Sequence, residues 1–246
     1  EASYPFLPEV VDVLYQRWGS FSSFQRTRGV LRLLSIVIHA LRASQLPYVT
    51  LADFDLANQE LRRELLKHIG PEYDSVIGAD ITSLEAGARK VDGELGAAFR
   101  GLHLGTRVAT TVFMYSFSGG VERGATLGDV KRSATTTNNP ASVVAEALEL
   151  LKSRYLFYVR QLSGRYYFTN EPNLNRILLT RMENVEAQEI VAEEEKLLKA
   201  RLGGRRLKVF LWPESDVDIP DTPELKLQGF EEGANDYLVK WPSKLE

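Results

Sequence analysis

Tyr155-Leu-Phe-Tyr-Val-Arg160, then Gln-Leu-Ser-Gly, then Arg165-Tyr-Tyr-Phe-Thr169 holds two β-rich runs on either side of a hairpin signal. Upstream of it the apolar spacing becomes helical. Val108 to Phe117 reads as a strongly apolar helix, and Thr126 to Ala134 as a short one with Thr126 as its N-cap. Pro140 to Ser153 reads as a third, with Val143, Val144, Ala147, Leu148 and Leu151 on one face. Three helices closed by a β-hairpin is the layout of a winged helix, a variant of the helix-turn-helix unit. The pattern predicts antiparallel pairing of Leu156 to Val159 with Tyr166 to Thr169. Tyr166, Tyr167 and Phe168 alternate as a hairpin does, so at least one face is core and not a base-stacking platform.

Before this segment the chain reads as helices alone. Pro8 to Arg17 is amphipathic through Val10, Val11, Leu14 and Trp18, is opened by proline and ends at Gly19-Ser20. Gly29 to Leu41 is apolar on nearly every face and is expected to be a buried central helix. Further helices are expected from Ala57 to His68, after the start signals Asp53 and Asp55, and from Thr82 to Arg100. After the hairpin, Asn173 to Leu202 reads as one long or broken helix, with Glu193-Glu194-Glu195 answered by Lys196 and Lys199 and a stop at Gly203-Gly204. Leu207 to Leu211 and Leu225 to Gln228 read as strands joined by the Pro- and Asp-rich loop Pro213 to Pro223. The fold class expected is α+β, mostly helical: a lid-like helical bundle (1–104), a winged helix (105–180), and a long helix with a short α/β tail (181–246).

Composition narrows the function. The chain has 246 residues, 44% hydrophobic and 26% charged, enough for one large domain or two small ones. Thirty Lys+Arg against 33 Asp+Glu leave a net charge of −3, so nucleic acid or an anionic membrane must be met by a local patch. The absence of Cys excludes disulfides, thiolate zinc sites and cysteine nucleophiles, and agrees with a reducing, cytoplasmic setting. His39, His68 and His103 have no partner at metal-ligand spacing. No apolar run reaches the roughly 18 residues of a membrane span, and no signal-peptide pattern opens the chain. Glu1 followed closely by Tyr4-Pro5-Phe6-Leu7-Pro8 reads as the interior of a longer protein, and Leu245-Glu246 equally fits a cloning remnant.

Between Asp12 and Asp53 there is no acidic residue, yet Arg17, Arg26, Arg28, Arg32 and Arg42 fall there. Arg28 and Arg32 sit around the first turn of the Gly29 helix, where the macrodipole already favours anions and acids are the usual occupants. Either these arginines face an anion or they form salt bridges with acids elsewhere in the chain. Gly119-Gly-Val-Glu-Arg-Gly124-Ala-Thr126 has the spacing of a phosphate-binding P-loop, but Ala125 stands where its lysine belongs and a helix precedes it. It is therefore a glycine-rich connection that binds no nucleotide. Ser116-Phe-Ser-Gly lacks the arrangement of a nucleophile elbow. The third helix of the winged-helix segment exposes Glu146 and Glu149 beside Lys152, a poor face for a phosphate-lined groove and better suited to packing against another domain. Ser133 to Asn139, Lys131, Arg132 and the wing residues Arg160 and Arg165 are the more permissive contacts for nucleic acid.

Four segments together resemble one family: Phe24-Gln-Arg-Thr-Arg-Gly-Val-Leu-Arg-Leu-Leu34, Gly70-Pro-Glu-Tyr-Asp-Ser-Val-Ile77, Val108-Ala-Thr-Thr-Val-Phe-Met-Tyr-Ser-Phe-Ser118 and Gly164-Arg-Tyr-Tyr-Phe-Thr-Asn-Glu-Pro-Asn-Leu-Asn-Arg176. It is the large prokaryotic AAA-type ATP-binding family catalogued as domain of unknown function 499. The resemblance implies a P-loop ATPase, often encoded beside DNA methyltransferases in phage-defence islands. The ATPase core, with ATP and Mg, would then lie before Glu1, and this chain would carry no cofactor or catalytic residue of its own. In such ATPases a helix opening Gly-x-x-Arg carries an arginine that senses the γ-phosphate. Gly29 and Arg32 look similar, with Arg28 as the second candidate. The implied partners are the parent's ATPase core and DNA, with an oligomer in keeping and no membrane. A stand-alone winged-helix module that binds DNA or protein is the alternative.

Overall fold

The protein is described by a computed structural model covering residues 3–118, 123–183 and 185–202. Pro8 opens α1 (Pro8–Asp12), where its fixed φ suits a first helical turn. A π turn (Val13–Arg17) and a 3-10 turn (Trp18–Ser20) prolong it, burying Val10, Val13, Leu14 and Trp18. Helix α2 (Arg26–Leu41) buries Val30, Leu33, Ile36 and Val37 and leaves Leu31 and Ile38 in solvent. The expected all-round burial of this helix is therefore corrected: one face packs and the opposite face, apolar in sequence, is exposed.

Helix α3 (Gln59–Ile69) starts at Asn58, whose Oδ1 accepts the amides of Glu60 (2.9 Å) and Leu61 (3.2 Å). The two aspartates expected to mark this start do other work. Asp53 closes a capping box with Thr50 around a 3-10 turn, and Asp55 accepts the Ala57 amide at 2.9 Å. The expected helix from Thr82 to Arg100 is shorter. Here α4 (Tyr73–Ile77) runs into a π turn (Gly78–Thr82), and only α5 (Gly87–Glu94) is a regular helix of that span.

Helix α6 (Leu104–Tyr115) is the centre of the fold; all of it except Thr106 and Arg107 is buried. Asp92 of α5 caps its start, accepting from the Thr106 amide (3.1 Å) and hydroxyl (2.6 Å). Its last carbonyls, which have no intrahelical donors, are met from far upstream: Trp18 Nε1 donates to Met114 O (2.9 Å) and Arg17 to Tyr115 O (3.1 Å). Trp18, Tyr73 and Phe168 pack around Phe113 of α6 and Phe117, with ring centroids 4.8–5.7 Å apart for the closest contacts.

After α6 come β1 (Ala125–Thr126), α7 (Leu127–Ala134), α8 (Ala141–Leu150) with a π turn to Tyr155, β2 (Val159–Leu162) and β3 (Arg165–Phe168). Thr126 caps α7 as expected, in a capping box with Asp129. The sheet is antiparallel in the order β1-β3-β2, with Ala125 opposite Tyr166. β2 pairs with β3 from Val159 opposite Phe168 to Leu162 opposite Arg165. The ladder thus lies further along the first run than expected, and a two-residue turn closes it. Ser163 (φ 50°) and Gly164 (φ 75°) both have positive φ, the geometry whose twist matches the flanking strands. The Phe157 and Tyr158 amides donate to Asp80 (3.2 and 2.9 Å), while the Tyr158 carbonyl still accepts the Thr169 amide at 2.9 Å.

Contacts divide the chain into residues 1–179 and 180–246. The first unit has one continuous hydrophobic core, running from Phe6 to Phe168 across the division expected at residue 104. α9 (Leu174–Glu183) spans the boundary between the units, and α10 (Ala187–Leu202) lies in the second, so the helix expected from Asn173 to Leu202 is broken ahead of Ala187. On α10 Lys196 meets Glu193 at 3.0 Å. The Lys199 side chain, the segment from Gly119 to Glu122 and the expected strands Leu207–Leu211 and Leu225–Gln228 lie outside the described residues. No helix among the described residues is long and apolar enough to cross a membrane.

Candidate functional site

The arginines of the acid-free stretch have different fates. Arg17 is spent on carbonyls, donating to Gly124 O (3.0 Å) as well as Tyr115 O, with its guanidinium over the Tyr115 ring. Arg26 donates to Gly19 O at 3.3 Å and Arg42 bonds His39 at 2.7 Å. Arg28 and Arg32, four residues apart on α2, are exposed, and Arg28 has no side-chain partner among the described residues. Gly29 between them is required by packing, because a Cβ there would strike the carbonyl of Phe24.

Arg32 meets an acid from another helix: its Nε is 2.8 Å from Oε2 of Glu64, and Lys67 Nζ reaches the same oxygen at 2.7 Å. Glu64 is buried, because it lies on the α3 stripe between Leu61 and Leu65. Burial pushes its carboxyl up, but hydrogen bonds from Lys67 and Arg32 outweigh that and hold it below the usual range. His68, one turn on, shares Nδ1 with the Ser23 hydroxyl (3.0 Å) and packs edge-on against Phe24. Its Nε2 is 4.0 Å from Glu64 Oε1, too far for a hydrogen bond, and burial lowers its pKa, so the ring is neutral at pH 7. The cluster on α2 and α3 therefore sets two cations, Arg32 and Lys67, on one carboxylate, with Arg28 one turn before Arg32 on α2.

The residues expected to touch nucleic acid are less available. Arg132 lies 3.7 Å from Glu9 and 3.6 Å from Asp129, and Lys131 is half-buried on the same helix. Arg160 and Arg165 share one face of the hairpin, because Arg160 stands opposite Tyr167, two residues from Arg165. Arg160 donates to Pro172 O (3.4 Å) and Arg165 to Gly124 O (3.4 Å). The outward side of α8 carries Ser142, Glu146 and Glu149, the last paired with Lys152 at 2.9 Å.

Sequence reading passes over Glu64 and Lys67 and takes His68 only as a histidine without a metal-ligand partner, although Glu64 on an apolar stripe is a readable signal that a facing helix must supply a cation. Asp80 carries no such signal. It is fully buried, and burial raises its pKa to about 7 despite the hydrogen bonds from the Tyr158 and Phe157 amides. Arg107, ion-paired with buried Asp53, and Arg123, donating to Ser116 O (2.9 Å) and Phe168 O (2.7 Å), are likewise structural. Among the described residues no group of three His, Asp or Glu side chains is placed to hold a metal. Comparison of the chain with protein-family models, curated proteins and solved structures finds no match.

Proposed function

We propose that this chain is a non-catalytic regulatory region of a larger P-loop ATPase, in which residues 104–168 form a winged helix and the helices before it form a lid over the nucleotide. The winged-helix reading rests on the order helix, strand, helix, helix, strand, strand from α6 to β3, with the first strand paired beside the last. The observation that carries the functional reading is the cationic, acid-free start of α2, where exposed Arg28 lies in the first turn, at a helix end that attracts anions, and exposed Arg32, paired with Glu64, follows one turn on. An incoming γ-phosphate, with the Mg and ATP of the parent's core, is the anion that the family resemblance implies. The acidic outward side of α8 favours a protein surface over DNA as the partner of the winged helix. Any DNA-linked defence role then belongs to the parent assembly, and a stand-alone DNA-binding module is the less favoured reading.

The test is the Arg32→Ala variant of the full-length ATPase. A lost phosphate contact made in the transition state slows hydrolysis by roughly tenfold to a thousandfold, with ADP affinity changed much less. Normal hydrolysis with a lowered melting temperature would show Arg32 to be only the partner of Glu64 and remove it from the site.

A further inference from the structure

Resting on the reading that Arg32 meets a phosphate, we propose that Lys67 is the positioning residue that lets Arg32 leave Glu64. Oε2 of Glu64 accepts from Arg32 at 2.8 Å and from Lys67 at 2.7 Å. The two cations are about half exposed (55% and 59%), whereas the carboxylate side chain is 10% exposed. A buried carboxylate with one cationic partner holds it tightly, because departure leaves an uncompensated charge away from water. Here departure of Arg32 leaves Lys67, three residues along the same helix as Glu64, on the same oxygen. The guanidinium is then free to exchange one oxyanion for another, from the Glu64 carboxylate to a terminal phosphate of a nucleoside triphosphate. Neutral His68, turned to Ser23, supplies no substitute charge. Lys67 thus sets how readily Arg32 is released without touching the nucleotide itself.

The experiment measures ATP hydrolysis, ADP affinity and melting temperature in the full-length protein for Arg32→Ala, Lys67→Ala, Lys67→Arg and the double variant Lys67→Ala/Glu64→Gln. Lys67→Ala should lower kcat by roughly fivefold to tenfold, the size of one partly exposed charge interaction, with ADP affinity unchanged. Lys67→Arg should restore the rate, because it returns a cation to Oε2. The double variant should also recover, since neutral Gln no longer retains Arg32. Arg32→Ala without effect would overturn the phosphate reading, and this inference with it. Arg32→Ala slow with Lys67→Ala normal would overturn the exchange alone. So would Lys67→Ala slowed in step with a fall in melting temperature and not rescued by Lys67→Arg. Lys67 is a surface lysine, so its two variants decide the matter even if the Glu64 substitution fails to fold.

Discussion

Replacing Asp80 by Asn should make the protein gain stability relative to the wild type as the pH rises. Asp80 is buried, and its carboxyl titrates at about 7 in the fold against 3.8 for the free side chain. Below pH 3.8 both states hold the proton. Between 3.8 and 7 the folded state holds it and the unfolded state does not, so stability falls with rising pH through this window and levels off above it. Each tenfold difference in proton affinity is about 1.4 kcal/mol, so the whole window carries on the order of 4 kcal/mol and the accessible part, from pH 5 to pH 8, about 2–3 kcal/mol. Asn cannot ionise, so it keeps an acceptor for Tyr158 and removes this slope. Urea unfolding of both proteins at pH 5, 6, 7 and 8 reads the difference directly. The constant offset from the altered hydrogen bond to Phe157 drops out, and titration of Glu9, whose carboxyl burial also raises, is common to both proteins. A stability difference that stays flat across this range would refute the buried, proton-holding carboxyl.

Two further substitutions test the packing. Arg107→Ala strands buried Asp53 without its cation and should cost about 3–5 kcal/mol, whereas Lys196→Ala, at an exposed pair on α10, should cost under about 1 kcal/mol; calorimetric melting separates them. Phe113→Ala opens a hole among Tyr73, Phe117 and Phe168 and should cost about 3–5 kcal/mol, and chemical unfolding that places the loss below about 1 kcal/mol would mean this aromatic cluster is not the core.

Local sequence signals located the secondary structure well where one residue type decides the matter. Thr126 with Asp129 marks a helix start because a hydroxyl and a carboxylate at that spacing satisfy two free amides. Pro8 marks a helix start for another local reason, its fixed φ. What failed depends on partners distant in sequence. Asp80, from a helix-end turn, takes the amides of Phe157 and Tyr158 just ahead of the hairpin ladder, a contact that no local pattern announces. Leu31 and Ile38 of α2 stay in solvent because hydrophobicity says which faces can be covered, not which are. At the site, the acid-free run of arginines is legible and Glu64 on the apolar stripe of α3 signals a facing cation, but neither segment alone says that this cation is Arg32.

The capping of α6 by Arg17 and Trp18 bears on how the chain folds. Those bonds join residues 98 and 96 positions apart, and a further one from Arg17 to Gly124 spans 107. Closing such loops costs chain entropy before any contact is gained, and contacts of this sequence separation slow the search relative to a bundle held by local contacts alone. During synthesis the amino-terminal helices emerge first, yet Trp18 has no acceptor until Met114 has left the ribosome. The residues before α6 therefore complete their packing only once that helix has been made.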